Sequence, residues 1–283
     1  MRRSYIYLFF PLLGACNWVG HVAKESALSA TSFYGLDSFY LTGEVPANFT
    51  FIGKAHYAPK KGQGCETYSP GLGGQVQRRY QDTHRSEASP EGHTFRFRIP
   101  LDYHMVGCSM ELTGIHYELE ATYGTDSWDH GRDNAGGLSV RRTLPPELPV
   151  FPASGVTEYR GLCTWLFQIS TATAKKGEIE KLLSCHAADE NWQISEDRFL
   201  RRKPGAAVRR DEVSGKEVRI VFRLSKEERP AYYDYWLKTE HGWKPCDGMW
   251  DRLKEEPCSI PPSFKTFKQD QITCTIYPSC IEK

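Results

Sequence analysis

The chain has 283 residues, of which 36 are Lys or Arg, 35 are Asp or Glu and nine are Cys. Its apolar, aromatic and charged fractions of 40%, 13% and 25% are ordinary for a folded protein and exclude disorder throughout the chain. The formal net charge of +1 argues against a nucleic-acid partner, because such proteins usually carry a clustered basic excess.

Residues 1–15 have the layout of a secretory signal peptide. Two basic residues precede an apolar run from Tyr5 to Leu13, which is too short to span a bilayer and is followed by small residues. The sequence Leu13-Gly14-Ala15-Cys16 resembles the lipobox of bacterial lipoproteins, whose cysteine becomes the acylated first residue after cleavage. The resemblance implies a lipid anchor at Cys16, and two or more acyl chains give stable membrane attachment. An ordinary cleaved signal peptide is the alternative.

The residues after the cysteine indicate where the anchor holds the protein. Gram-negative lipoproteins with Asp at the next position are commonly retained in the inner membrane, so by resemblance Asn17 implies the outer membrane. Residues 16–35 are rich in small residues without a sustained period, which predicts a tether. No later stretch approaches the ~20 apolar residues of a membrane span. The expected location is therefore the periplasm, on a lipid anchor.

Eight cysteines remain once the anchor is set aside, and an even number in an oxidising compartment predicts up to four disulfides. A zinc site is the alternative, but the two C-terminal pairs have eleven and five intervening residues. Structural zinc pairs are typically two to four residues apart, so we expect no metal. Pairing of sequence neighbours predicts Cys65–Cys108, Cys163–Cys185, Cys246–Cys258 and Cys274–Cys280.

Alternation of apolar and polar residues, which is typical of half-buried strands, dominates the rest of the chain. It is clearest in Thr94–Ile99, Cys163–Ile169 and Lys216–Leu224. Further strands are predicted at Ser38–Gly43, Phe51–Tyr57, Gln75–Tyr80, Leu138–Thr143, Ala231–Lys238 and Gln271–Tyr277.

The segment Met110–Tyr123 changes parity in its middle. Met110 and Leu112 share one parity, whereas Ile115 and the alternate residues after it share the other. A one-residue slip turns every side chain to the opposite face of a sheet. A β-bulge at Gly114 would let both halves point inward.

Four prolines between residues 144 and 155 exclude a regular element there and mark a boundary. We therefore predict a mainly β protein with little helix, made of two disulfide-stapled, antiparallel β-sandwich-like halves, 36–145 and 156–283. Residues 176–183 fit either a short helix or a hairpin, so both interpretations stay open.

No familiar catalytic motif is present, and we expect neither an enzyme nor a cofactor. Asp102 and His104, with His116 further along, are the nearest approach to an acid–base pair. Without a candidate nucleophile, a structural role is the better interpretation of these residues.

Two charged segments allow more than one interpretation. Asp126–Asn134 contains three carboxylates and an amide, the oxygen ligands that Ca²⁺ prefers, but its spacing does not match the twelve-residue calcium loop. A solvated hairpin tip is the alternative that we favour. The basic clusters 201–203 and 209–210 predict an exposed loop, or else a surface that meets an acidic partner.

Small, aromatic and cysteine residues recur in the first half as Phe51-x-Gly53-x-Ala55-x-Tyr57-x-Pro59, Gly64-Cys65, Ile99-Pro100-x-x-Tyr103 and Gly107-Cys108-x-Met110-x-Leu112. This pattern resembles a group of Gram-negative lipoproteins, several of which are similar to immunity proteins of type VI secretion lipase effectors, including phospholipase D-like toxins. The resemblance covers about residues 1–125. It implies a periplasmic protein that binds a secreted phospholipase toxin and blocks its active site, with no catalytic residues of its own.

Exposed loops rich in aromatic residues and Arg would supply the contacts for such a partner. Core and cross-strand packing is the alternative for the aromatic cluster that begins at Tyr232. A general envelope-binding or assembly lipoprotein is the alternative function. The candidate partner-binding residues are Trp128, His130, Arg132, Tyr232, Tyr233 and Trp243.

Overall fold

The computed structural model describes residues 31–69, 71–169, 176, 178–197, 199–232, 236–245, 266–269 and 272–280. Strands occupy most of this part of the chain, as the alternation predicts, and α1 (Arg210–Val213) is a single helical turn. The strands in chain order are β1 (Phe33–Tyr34), β2 (Ser38–Val45), β3 (Phe49–Pro59), β4 (Glu66–Ser69), β5 (Gly74–Gln77), β6 (Tyr80–Arg85), β7 (His93–Pro100), β8 (Asp102–Met105), β9 (Cys108–Thr122), β10 (His130–Arg141), β11 (Val156–Gln168), β12 (Glu180–Ala187), β13 (Gly205–Arg209), β14 (Glu217–Leu224), β15 (Arg229–Pro230), β16 (Trp236–Thr239), β17 (Gly242–Pro245), β18 (Phe267–Gln269) and β19 (Ile272–Cys274).

Two large sheets contain most of these strands. The first sheet has the order β13–β10–β9–β3–β6, and β8 with β1 extends it along the β10 side of β9. The second sheet has the order β12–β11–β14–β2–β7, with β15 beside the end of β11. Three two-stranded sheets, β4–β5, β16–β17 and β18–β19, lie outside them.

The two sheets pack face to face around one apolar core. Phe51 of the first sheet is fully buried, and its ring centre lies 4.1 Å from that of Phe95 and 6.4 Å from that of Phe222, both in the second sheet. Alternate residues of β9 and β14 face the same core, because side chains alternate between the two faces of a strand. The fold is therefore a β-sandwich.

Strands from both sides of the proline-rich segment 144–155 contribute to both sheets. β2 pairs in parallel with β14 in the second sheet, and β10 pairs in parallel with β13 in the first. The hairpins β9–β10 and β11–β12 are antiparallel, as expected. In each of these parallel pairs, one strand comes from residues 36–145 and the other from residues 156–283. The two halves therefore interleave in one sandwich.

The predicted bulge in β9 is present. His56 of β3 pairs with Gly114 and Tyr57 pairs with Leu112, so Thr113 is the extra residue on β9. Residues of both parities on either side of it are buried, including Leu112 and Ile115. The bulge therefore lets both halves of β9 face the core.

Some boundaries differ from the prediction. The expected strand Gln75–Tyr80 is interrupted, because β5 ends at Gln77 and β6 begins at Tyr80. The segment 201–211, expected as a loop, contains β13 and α1, and the expected tether contains β1. In β13, Gly205 lies so close to the main chain of Gly137 that any side chain at Gly205 would clash, a fit that hydrophobic alternation does not detect.

Three of the predicted disulfides are present, Cys65–Cys108, Cys163–Cys185 and Cys274–Cys280. Such bonds indicate an oxidising, extracytoplasmic compartment. The predicted pair Cys246–Cys258 and the predicted anchor Cys16 lie outside the described residues. Within the described ranges, no helix is both long and apolar enough to cross a membrane.

The sandwich has two ends, which we name by their place along β9. The proximal end holds the first residues of β9 and, beside them, β8 and β1. The distal end holds the β9–β10 turn and a second, smaller core. Tyr123, which follows β9, contacts Trp165 of β11 with 5.2 Å between the ring centres, so the last residues of β11 also lie at the distal end.

Candidate interaction surfaces

The β9–β10 turn at the distal end presents a tryptophan on an ordered loop. Asp129 donates its main-chain N–H to the carbonyl of Asp126, and its carboxylate accepts the N–H of Asp126 at 3.1 Å. His130 Nδ1 lies 2.9 Å from the carbonyl oxygen of Ser127. Trp128 lies between these contacts and is 65% exposed. The turn therefore holds a large aromatic side chain in solvent.

The carboxylates of residues 126–134 do not converge on a cation site. Asp133 points to the neighbouring sheet, where its carboxylate accepts the N–H of Cys185 and an ammonium hydrogen of Lys203, each at 2.6 Å. In the described part of the chain, no group of three or more His, Cys, Asp or Glu residues could hold a metal ion. Asp129 therefore stabilises the β9–β10 turn, and Asp133 connects β10 to the neighbouring strand β12.

The second core lies next to this turn. Phe167, at the end of β11, packs edge-on against Trp236 with 4.8 Å between the ring centres, and Tyr277 lies 4.3 Å from Phe167. Trp243 is partly buried and packs against the same group. Tyr232 is 58% exposed and follows Ala231, whose N–H donates to the Phe167 carbonyl. Packing therefore accounts for Trp243, whereas Tyr232 stays on the surface.

A lysine joins the turn to the second core. Lys181 forms an ion pair with Glu228 at 2.8 Å, and its ammonium lies 5.6 Å from the ring centres of both Tyr123 and Tyr277. Burial raises the pKa of Tyr123 above its ordinary value, although Lys181 partly opposes this, so the ring stays neutral beside the ammonium. Lys181 therefore lies between the end of β9 and the second core.

Arg132 belongs to a ladder of charged side chains, Arg85, Glu120 and Arg132, on the outer face of the first sheet. Its guanidinium contacts the carboxylate of Glu120, which also accepts a hydrogen bond from Arg85 at 2.5 Å. Burial opposes ionisation of Glu120, but the hydrogen bonds from both arginines keep the pKa of its carboxyl below the ordinary value. The candidate Arg132 thus has a partner within the sheet. Tyr233 lies outside the described residues.

Asp102 and His104 have separate partners. Asp102 forms ion pairs with Lys60 at 2.7 Å and Arg210 at 2.8 Å, which connect β8 to the turn after β3 and to α1. His104 Nδ1 lies 3.0 Å from the hydroxyl oxygen of Ser109. These contacts give both side chains a place in the packing of the proximal end.

A shallow groove of about 370 Å³ crosses the outer face of the first sheet. Its floor includes Gly114 and Gly137, and His56 and His116 lie along it. Burial and the neighbouring charges of His116 and Lys54 lower the pKa of His56, so this histidine is mostly neutral at pH 7.

The basic clusters make mainly intramolecular contacts in the described structure. Arg201 donates to the carbonyls of Ser195 and Glu196, at 2.9 and 3.2 Å, and holds its own loop in place. Arg209 pairs with Asp211. The side chains of these clusters are therefore less available to an acidic partner than the sequence suggests.

A second ordered aromatic, which the sequence analysis missed, lies on the outer face of the second sheet. Arg223 stacks on the Trp192 ring at 3.8 Å, and Arg160 lies 5.8 Å from the same ring. Trp192 has a φ of 62°, which is rare for a bulky residue, and the Asp189 carboxylate stabilises the turn by accepting two of its main-chain N–H groups. No periodicity marks this tryptophan in the sequence.

Comparison with known proteins gave no match: no protein-family model, no curated protein and no solved structure is significantly similar to the chain.

Proposed function

We propose that this chain is a lipid-anchored envelope protein that binds and neutralises a type VI secreted phospholipase in the periplasm. The three disulfides support the extracytoplasmic part of this proposal. The signal-like N-terminus with Cys16 supports the anchor, and the resemblance of residues 51–112 to immunity lipoproteins supports the kind of partner.

The observation that carries the binding role is the distal end. Trp128, Tyr232 and Ile272 are each more than half exposed there, Trp128 on the β9–β10 turn, Tyr232 after β15 and Ile272 on β19 beside the small core. Contiguous exposed apolar patches on a monomer mark protein-binding sites, and aromatic anchors that become buried dominate the binding energy of interfaces. The distal end therefore suits a protein partner.

The construction of the sandwich also favours tight binding. Cys65–Cys108 joins the loop before β4 to β9, and Cys163–Cys185 joins β11 to β12, and all four cysteines lie in the main core. Association with a partner therefore orders few additional residues. An inhibitor that protects at low copy number needs nanomolar affinity or better, about −12 kcal/mol. One or two aromatic anchors that each contribute about 2 kcal/mol or more would be a large part of that energy.

The genetic test removes the gene from its host strain and challenges that strain with a sibling that injects the phospholipase encoded beside the gene. We expect the deletion strain to die and the wild-type chain to restore survival. A chain with Trp128→Asp and Tyr232→Asp should fail to protect, because two charges would be buried in the interface.

Leu72→Asp, at a still more exposed apolar position in the β4–β5 turn at the proximal end, is the control and should protect like the wild type. Survival of the deletion strain, together with no binding of the purified protein to the phospholipase, would overturn the proposal. A general envelope-binding or assembly lipoprotein would then be the better interpretation of the chain.

A further inference from the structure

The chain enters the described structure at the proximal end. β1 runs antiparallel to β8, with Phe33 opposite His104 and Tyr34 opposite Tyr103. Thr31 and Ser32, which precede β1, therefore lie toward the β8–β9 turn, whose Val106 is 63% exposed. Any tether from the N-terminus thus joins the sandwich beside this turn.

A hairpin projects from the same end. Its base is fixed by the Cys65–Cys108 disulfide and by the N–H of Arg78, which donates to the Cys65 carbonyl at 2.8 Å. The described residues of β4 and β5 are exposed or half-buried. Leu72, in the turn between the two strands, is 77% exposed, and Gly73 beside it has a φ of +64°. The hairpin therefore presents an apolar turn on a rigid base.

Basic residues flank the base of this hairpin, on the side of the β8–β9 turn, and Lys60 among them is paired with Asp102. Residues 60–80 contain four basic side chains, Lys60, Lys61, Arg78 and Arg79, but one acidic side chain, Glu66. Exposed apolar side chains that stand next to clustered Lys and Arg are the combination that binds an anionic lipid surface, because burial of the first and attraction of the second act together.

We propose that the proximal end rests on the anionic lipid surface of the membrane that holds Cys16, with the β4–β5 turn and Val106 at the headgroups. Fourteen residues lie between Cys16 and Thr31, so the anchor lies at most ~50 Å from the sandwich, which keeps the proximal end within reach of the lipid. The distal end then faces away from the membrane, toward an incoming protein. This inference rests on the proposed lipid anchor and does not depend on the identity of the toxin.

The test uses the full acylated protein, reconstituted into vesicles of phosphatidylcholine with or without phosphatidylglycerol. Hydrogen–deuterium exchange at residues 71–75 and 105–108 should slow severalfold in the anionic vesicles compared with detergent, and less in the neutral ones. Leu72→Asp should abolish this protection at residues 71–75. Trp128→Asp, at the distal end, should leave it unchanged.

Intact-mass measurement separates the possible failures. Protein without acyl chains would overturn both the anchor and this inference. Acylated protein whose residues 71–75 exchange equally fast in vesicles and in detergent would overturn the inference alone. Protection that arises only after a protein partner is added, and without dependence on lipid charge, would also overturn it, because the hairpin would then be a protein-docking element.

Discussion

The proximal and distal ends of the sandwich are built in different ways. At the proximal end, Tyr80 stacks on Tyr103 with 3.8 Å between the ring centres, and both pack against the main core that the two sheets share. At the distal end, Phe167, Trp236 and Tyr277 belong to a separate small core. We therefore expect the proximal end to unfold with the whole sandwich, whereas the small core at the distal end can open on its own.

The largest expected effect tests this difference directly. Tyr103→Ala and Trp236→Ala each remove a buried aromatic ring, at a cost of about 3–5 kcal/mol. Tyr103→Ala should lower the stability of the entire sandwich, measured by chemical denaturation. Trp236→Ala should speed hydrogen exchange in residues 236–245 and 272–280 and leave exchange in β9 unchanged. Equal loss of protection in β9 for both variants would show that the two cores unfold as one.

The two ends also differ in the length of the chain loop that their disulfide closes. Replacing Cys65 and Cys108, which are 43 residues apart, by Ala should cost about 4 kcal/mol by the chain-entropy argument. Replacing Cys274 and Cys280, six residues apart, should cost about 2 kcal/mol, and its effect should stay in the distal end. Denaturation of both double variants under oxidising conditions gives the two values. A larger loss from the shorter loop would contradict the chain-entropy argument, because a disulfide that closes a longer loop removes more entropy from the unfolded chain.

Mild acid should act on the sandwich through the histidines whose pKa the fold lowers, which are His56, His84 and His186. Burial lowers the pKa of His84, partly opposed by Asp82, and burial with the nearby Lys203 lowers that of His186. The unfolded chain therefore takes up protons as pH falls through about 6.5, before the folded chain does, so the stability present above that pH is lost on further acidification.

Thermal unfolding at about pH 7.5 and about pH 5 measures this loss. We expect a lower midpoint at the acid pH, and a smaller difference for His84→Gln, because one buried imidazole no longer has to stay neutral in the folded state. An unchanged difference for His84→Gln would assign the acid sensitivity to other groups.

The smallest effect on stability belongs to the surface ladder. Arg132→Ala should change the free energy of unfolding by less than about 1 kcal/mol, because its side chain is exposed and Glu120 keeps Arg85 as a partner. If the ladder lies at the rim of the toxin interface, the same variant should slow association mainly at low salt. A stability loss above about 2 kcal/mol would instead make Arg132 part of the fold.

Local patterns predicted those elements whose side chains alternate cleanly. β14 and both parts of β9 follow the alternation, and the three described disulfides join sequence neighbours. β13 has no such pattern. Its pairing with β10 depends on the close approach of Gly205 to Gly137, which alternation does not detect. The interleaving of the halves was also beyond sequence reasoning, since it depends on which distant strands become neighbours.

The sequence predicted which types of residue could contact a partner, but it did not predict which of them stay exposed. Trp128 and Tyr232 are exposed at the distal end, as a partner surface requires, whereas Trp243 packs against the second core and Arg132 pairs within its sheet. The sequence offers the same signal, an aromatic or basic side chain, for both situations. Tertiary packing decides between them, and a single sequence does not contain that information explicitly.

Titration of the purified phospholipase, encoded beside the gene, with the purified chain tests directly whether the distal end binds the toxin. We expect nanomolar inhibition of lipid hydrolysis by the wild type and by Leu72→Asp. Trp128→Asp should bind about thirtyfold more weakly or worse, which corresponds to a loss of about 2 kcal/mol. Absence of inhibition by the wild type, or equal inhibition by both variants, would contradict a toxin-binding distal end.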